Sequence, residues 1–299
     1  MSILKSKEII IETLRKNNEA IEIKGDLLIE LQKTELDIFR NVKKLCDENN
    51  IDIILGGGTL LGAVRHNGYI PWDDDIDLNI SRKYVSKFIE LLNDNFGNVY
   101  DIEYRNKKQL EPFIKIKKKG TILYEPWSLT KDDGVSIDIF IIENLPNYTL
   151  VRYFYGIVCT IKLYIASCLS FYENRNDSFI KIMKSSNISR INYATKKTIG
   201  CFFSYKTYNT RVIENDKYFS KYENHRSKYV CIPTGRKHFF GEIYKRNMFE
   251  DLVNTKFEGI DCKIPKDYDE YLRNLYGDDY MTIPPENKRE HHYVFEIKL

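Results

Sequence analysis

The segments "DDDIDLNI", Asp73 to Ile80, and "SIDIFIIENLP", Ser136 to Pro146, hold the acidic groups best suited to metal-dependent chemistry. In an extended chain alternate side chains share a face. Asp73, Asp75, Asp77 and Asn79 therefore point one way, and Ile76, Leu78 and Ile80 the other. Carboxylates two positions apart lie about 7 Å from each other, near enough for two to share a divalent cation. Without a cation their repulsion raises at least one pKa. Asp138 stands between Ile137 and Ile139, and an ionised carboxylate in a buried strand is costly unless partnered. A cation held jointly by Asp75, Asp77 and Asp138 supplies that partner, and an all-oxygen set with open positions suits Mg²⁺, with Mn²⁺ as the alternative. The competing readings are a solvated acidic turn for the first segment and a hydrogen-bonded aspartate at a strand end for Asp138.

Upstream, "LGGGTLLG" follows the short strand "IDIIL". Gly56, Gly57 and Gly58 let backbone amides approach a phosphate without side-chain obstruction, and Thr59 offers a hydroxyl donor. No GK[ST] follows, and the run is no GxGxxG, so Walker A and dinucleotide readings fall away. A glycine loop, a DxD on the next strand and a third aspartate on a later strand match the layout of the nucleotidyltransferase fold.

The elements that must position these residues come from periodicity. Apolar residues from Leu27 to Leu45 predict an amphipathic helix over Asp26–Asn50, and a second helix starts after Ser81 as its cap. "VYDIEY", "FIKIKK", "TILYE" and "VSIDIFII" read as strands. Beyond Leu145 the pattern is mostly helical, until "FEGIDCKIP" suggests a small hairpin and "KDYDEYLRNLY" a last helix ended by Gly277. The expected fold is α+β: a nucleotidyltransferase-like mixed β-sheet core flanked by helices, with a mostly helical C-terminal part. The expected units are residues 1–50, a helical segment packing on the core, residues 51–145, the catalytic core, and residues 146–299, closing on it.

Composition limits the alternatives. Across 299 residues, 46 basic against 43 acidic side chains leave a net charge of +3, so no global polycation argues for nucleic acid. Six cysteines without a CxxC pair suggest reduced thiols in a cytoplasmic protein, neither a disulfide framework nor a zinc site, and His291 and His292 form no zinc motif. The first twenty residues carry charges where a signal peptide needs an apolar core. Val151 to Tyr172 is the most apolar run, but Arg152 and Lys162 interrupt it. It reads as a core helix or helix pair, with a segment resting on a membrane surface as the alternative.

"GGTLLGAVRHNGYIPWDDDIDLNI" resembles the signature of the LicD family, bacterial phosphocholine transferases of surface glycans related to the fukutin-type sugar phosphotransferases. "SIDIFIIENLP" resembles the family's second block, although "FIIENLP" replaces its usual Phe-Pro turn. "FEGIDCKIPKDYDEYLRNLYGDDYMTIPPENKREHH" resembles its third, including Tyr276, Gly277, Asp278, Pro284, Pro285 and His291. Residues 150–236 carry no recognisable motif.

The resemblance implies transfer of phosphocholine, or a related alcohol phosphate, from CDP-choline or another CDP-alcohol. The acceptor is a sugar hydroxyl of a cell-surface glycan or lipid-linked oligosaccharide, such as lipopolysaccharide, teichoic acid or capsule, and CMP is released. The expected setting is cytoplasmic, with the inner face of the cell membrane and a peripheral membrane contact left open as alternatives. Asp138 would ligate a second metal or take the acceptor's proton. Arg65 and His66 match the family pattern, Arg65 as a phosphate contact or a salt bridge orienting the loop. Lys115 is a phosphate contact from a neighbouring strand or a solvated lysine. Asp73 and Asp74 read as loop-positioning groups, and Trp72, Tyr124 and Trp127 as a cage for a quaternary ammonium or as packing. Two other functions compete: transfer of an NMP from an NTP to a small molecule, protein or RNA, and a non-catalytic module binding nucleic acid through "KKTIGCFFSYKTYNTR" or "IKIKKKG".

Overall fold

In the computed structural model, which describes residues 20–126, 128–129, 134–174, 176–184 and 187–299, the chain enters through strand β1 (Ile21–Glu22) and helix α1 (Asp26–Glu48). Leu31, Ile38, Phe39, Val42 and Leu45 recur at helical spacing on α1 and are all buried, which seats the helix on the sheet. Strand β2 (Ile53–Leu55) runs into α2 (Gly57–His66), and β3 (Asp77–Ser81) into α3 (Arg82–Phe96). Strands β4 (Tyr100–Glu103), β5 (Ile114–Lys118), β6 (Ile122–Tyr124) and β7 (Ser136–Asn144) follow. A helical layer comes next: α4 (Thr149–Glu173), α5 (Asp177–Met183), α6 (Asn187–Phe203) and α7 (Tyr208–Phe219). Strands β8 (Tyr229–Cys231), β9 (Ile243–Lys245), β10 (Leu252–Phe257) and β11 (Ile260–Pro265) return the chain to the sheet. Helix α8 (Tyr268–Tyr276), β12 (Tyr293–Val294) and β13 (Glu296–Lys298) complete it.

The central sheet is mixed, in the order β10-β11-β2-β3-β7-β5-β4, with β8 and β9 branching from the far end of β7. β3 and β7 are parallel, and their register sets Asp77 level with Asp138, while antiparallel β5 sets Lys115 opposite Asp138. The fold is thus α+β. The strands β8–β11, from beyond residue 145, extend the same sheet as the expected 51–145 core, and residues 1–19 lie outside the described part.

Three elements differ from the sequence expectation. The glycines are not a loop: Gly56 is the N-cap and Gly57 and Gly58 the first turn of α2. Glycine disfavours a helix, but Leu60, Leu61 and Ala63 are buried in the core and hold this one. The strand expected over Asp73–Ile80 begins only at Asp77. "TILYE" leaves the central sheet, since β6 pairs with β13, and "FEGIDCKIP" belongs to a hairpin that joins it through β11 and β2. Gly277, at φ 93°, ends α8 as expected, and Ser81 is the N-cap of α3, although its hydroxyl makes no capping bond.

The helical layer is tied to the sheet by buried charge. Arg82, at the start of α3, bonds Glu143 on β7 through Nε at 3.0 and 3.1 Å and Asp216 on α7 through Nη2 at 2.7 Å, and all three are buried. Tyr104 and Arg105 also bond Asp216. Arg82→Met leaves two buried carboxylates without that cation, and the urea unfolding free energy is expected to fall by about 3–5 kcal/mol. A loss under about 1 kcal/mol would show that the cluster does not hold the layers together.

Candidate active site

β3 and β7 enter the sheet side by side, and their first residues set the site. The Asp138 N–H donates to the Ile76 carbonyl at 3.0 Å, which carries the ladder one residue upstream of β3. Alternation persists through this approach: Asp74, Ile76 and Leu78 are buried, whereas Asp73, Asp75, Asp77 and Asn79 line a cleft of about 600 Å³ together with Asp138.

The start of α2 closes against these carboxylates. The Gly56 N–H donates to the Asp77 carbonyl at 2.9 Å, and the Asp77 N–H donates to Thr59 Oγ1 at 2.8 Å. The Gly58 N–H donates to the Asp77 carboxylate, which sits where the helix dipole favours negative charge. Gly57 has φ +43°, and a Cβ there would collide with the Asp77 carboxylate; one at Gly58 would lie 2.7 Å from Asp73 Oδ2. These glycines are required because carboxylates pack directly on the first helical turn.

The site concentrates negative charge. Burial, then Asp138 and Asp73, push Asp77 up to about 8, against Arg236 and the Gly58 N–H. Burial pushes Asp73 up to about 7, with His292 opposing and Asp74 adding. Asp75 lies well above the usual carboxylate range, through burial and then Asp77, Asp73 and Asp74. Glu35, buried on α1, is raised by burial and then Asp74, although the Tyr69 hydroxyl bond opposes this. A divalent cation reverses such preferences, because its own charge is the largest in the site.

Two acidic groupings compete for that cation. Among the described residues, the group with ligand atoms all within 4.8 Å of one another is Asp73, Asp74 and His292. There His292 Nδ1 lies 2.6 Å from Asp74 Oδ1. Burial opposes the imidazolium, but the Asp74 hydrogen bond and the Asp74 and Asp73 charges overcome it and raise His292 to about 9. A metal there would first have to displace that proton, and as it stands the His292–Asp74 contact fastens the tail to the acidic loop. Asp75, Asp77 and Asp138 are not drawn as close together. Their all-oxygen donors at an open cleft fit Mg²⁺, which keeps waters and shares substrate phosphates.

The same cleft carries cations. Arg65, Arg236, Lys288 and Arg289 line it. Arg236 lies 5.0 Å from the Tyr276 ring and 3.7 Å from Glu290, and Arg289 lies 4.3 Å over Trp72. Glu242, also at the cleft, accepts from the Lys237 N–H at 2.8 Å, and burial pushes it up to about 7.

Of the residues singled out by sequence, Asp75, Asp77, Asp138, Gly57, Gly58 and Arg65 meet at this cleft. Arg65 also holds the tail, donating from Nη1 to the Tyr280 carbonyl at 2.7 Å and from Nε to His66 Nε2 at 2.9 Å. His66 thus acts on Arg65 and is not part of the lining. Thr59 is buried, and its hydroxyl oxygen accepts from the Asp77 N–H. Lys115 sits beside Asp138, with Nζ 3.6 Å from Oδ1. Asp74 is buried against His292, as a positioning group should be, whereas Asp73 faces the cleft. Of the three aromatics, Trp72 lines the cleft, Tyr124 packs on Phe295, and Trp127 lies outside the described residues. In the tail, Tyr276 and Pro284 line the cleft, Asp278 pairs with Arg273, and His291 pairs with Glu22. Arg236, Glu242, Lys288 and Arg289 were missed; the "PTGR" turn before Arg236 was the one local signal for them.

The His292–Asp74 pair predicts a pH dependence. His292 is raised from 6.5 to about 9 on folding, so its stabilisation is complete below the unfolded pKa and is lost as pH rises through the folded one. The difference in urea midpoint between the native protein and His292→Gln should be largest at or below about pH 6.5 and shrink above about pH 9. A difference independent of pH would rule out the ion pair.

The sequence is similar to known proteins. Residues 50–154 match the LicD/FKTN/FKRP nucleotidyltransferase domain. The chain is 26% identical over 278 residues to the lipopolysaccharide cholinephosphotransferase LicD of Haemophilus influenzae, covering 91% of this chain and 98% of that protein. It is 47% identical over 47 residues to the human ribitol 5-phosphate transferase FKRP, covering 16% of this chain and 10% of that protein. The matched residues span α2, β3 and β7, and with them the acidic wall of Asp73, Asp75, Asp77 and Asp138. Over residues 50–154 the chain is therefore similar to the LicD/FKTN/FKRP nucleotidyltransferase domain, and over most of its length to a lipopolysaccharide cholinephosphotransferase.

Proposed function

We propose that this chain is a transferase that moves an alcohol phosphate, phosphocholine or a related group, from a CDP-activated donor to a sugar hydroxyl of a surface glycan, releasing CMP. The observation that carries this reading is one cleft holding Asp75, Asp77 and Asp138 together with Arg236, Lys288 and Arg289. Carboxylates for a cation and cations for phosphate oxygens are what a nucleotide-activated pyrophosphate requires. The choline phosphate and ribitol 5-phosphate in the relatives' names support an alcohol phosphate as the transferred group.

Each residue then has a task. Asp75 and Asp77 would hold Mg²⁺ or Mn²⁺, with Asp138 as a further ligand or as the acceptor of the proton, and the bound cation would neutralise charge on the pyrophosphate and ease departure of CMP. Arg236, Lys288 and Arg289 bind and orient the phosphates, with Arg289 able to leave the Trp72 face for them. Gly57 and Gly58 keep the first turn of α2 free of side chains, so that the Asp77 carboxylate and the donor phosphates can approach its positive end closely. The acceptor oxygen attacks in line at the phosphorus carrying the alcohol, the bond from that phosphorus to the CMP oxygen breaks, and the acceptor proton passes to a cleft carboxylate. Lys115, with Nζ 3.6 Å from Asp138 Oδ1, steadies the charge of that carboxylate in either role.

A panel of CDP-alcohols assayed for CMP release tests the reaction. Release should require Mg²⁺ or Mn²⁺ and stop in EDTA; full release in chelator, or pyrophosphate release from an NTP in its place, rejects the proposal. Asp77→Asn and Asp138→Asn should each lower turnover about 100-fold or more. Neither should lower the urea midpoint, since each removes a repelling charge. Near-normal turnover in either variant would dismiss the ligand assignment. Gly58→Val pushes a side chain at Asp73 and should weaken donor binding about tenfold or more, at 1.4 kcal/mol per factor of ten; unchanged donor affinity would remove α2 from the phosphate site.

A further inference from the structure

Helix α4 turns an apolar face outward. Leu150, Phe154, Ile161 and Tyr164 fall on one arc and are 73%, 65%, 52% and 47% exposed, and Val151, Tyr153 and Val158 flank them. Tyr155, Cys159 and Ala166 point inward. The helix is 25 residues long and apolar enough to cross a bilayer, yet only 33% of its most apolar stretch is buried within the protein. It is not free to span, because it packs on α6, α7 and the His238–Gly241 turn, and Lys162 lies over the Tyr218 ring. An apolar face this continuous on a folded chain marks an interaction surface.

Charge identifies the occupant. Residues 149–219 hold eleven basic and four acidic side chains, whereas the rest of the chain holds 35 basic and 39 acidic. Lys181, Lys184 and Arg190 are exposed, and none of them is in an ion pair among the described residues. A second copy would bring one cationic layer against another. An anionic bilayer complements both the charge and the apolar arc, as for helices that lie in the interface plane. The aromatic cluster of Tyr153, Phe154 and exposed Phe240, with centroids 6.0 and 5.7 Å from Tyr153, supplies side chains suited to headgroup depth.

We propose that the outward face of α4, with Phe240 at its edge, docks the protein on an anionic lipid surface. Phe240 belongs to the same helical turn as His238, which lines the cleft. Docking therefore sets the cleft rim at the bilayer, where an acceptor carried on a lipid reaches it; that consequence rests on the glycan-transfer reading, but the docking does not.

Sedimentation with phosphatidylcholine vesicles, with and without added phosphatidylglycerol, tests the proposal. The protein should partition onto the anionic vesicles and be released by high salt. Leu150→Asp/Phe154→Asp and Lys181→Glu/Lys184→Glu/Arg190→Glu should each weaken partitioning about tenfold or more, while CMP release from soluble donor stays unchanged. Failure of the native protein to bind anionic vesicles overturns the proposal, as does equal binding by the aspartate variant. So does a dimer, seen by light scattering without vesicle binding, that the aspartate variant dissolves. Vesicle binding by a protein that releases no CMP would uphold the docking and reject the reaction, so the two fail separately.

Discussion

The structure is organised around holding several like charges together at the buried end of a sheet. Asp73, Asp75, Asp77 and Asp138 line one cleft with Glu35 nearby, and burial together with their mutual repulsion raises the proton affinity of the first three and of Glu35. Such an arrangement survives only if rigid elements leave the carboxylates no room to part. Level pairing of β3 with β7 supplies that rigidity, and the first turn of α2 presses its N–H groups on Asp77 from the third side. The cost of assembling the cluster is concentrated where a bound cation would relieve it.

The compensating groups come from the far end of the chain. Tyr271 on α8 receives the Gly57 N–H at 3.4 Å and the Asn79 amide at 3.5 Å, which joins the tail region to both sides of the acidic wall. Arg65 grips the Tyr280 carbonyl, His292 grips Asp74, and β12 pairs with β1. The strap formed in this way delivers Lys288 and Arg289 to the cleft, and the β8–β9 connection delivers Arg236. A matched domain ending at residue 154 thus contains the acidic wall but only Arg65 among the cleft's arginines and lysines.

What could be read in the sequence was whatever a short segment states by itself. Alternation put Asp73, Asp75, Asp77 and Asn79 on one face even where no strand forms, because Asp138 anchors Ile76 and keeps the approach extended. Asp138 stood out because a charge between isoleucines needs a reason. Helices with continuous apolar stripes, such as α1 and α8, were equally plain. Hidden were the features made by distant partners. The pairing of β11 with β2, the departure of β6 to β13, and the role of Arg236 each depend on residues far away in sequence. The glycines misled in a different way: local preference argued for a loop, and tertiary packing of Leu60, Leu61 and Ala63 imposed a helix.

The excursion from Gly56 to Asp77 leaves and returns at one point, stitched by the Gly56 bond to the Asp77 carbonyl and the Asp77 bond to Thr59. Midway, the Tyr69 N–H is held by Glu258 at 3.0 Å and its hydroxyl reaches the Gln32 carbonyl at 3.0 Å. One inserted or deleted residue after Ile76 would turn Asp77 into the hydrophobic interior. The segment is accordingly constrained in residue number more tightly than in side-chain identity, because its length alone decides which way the carboxylates face.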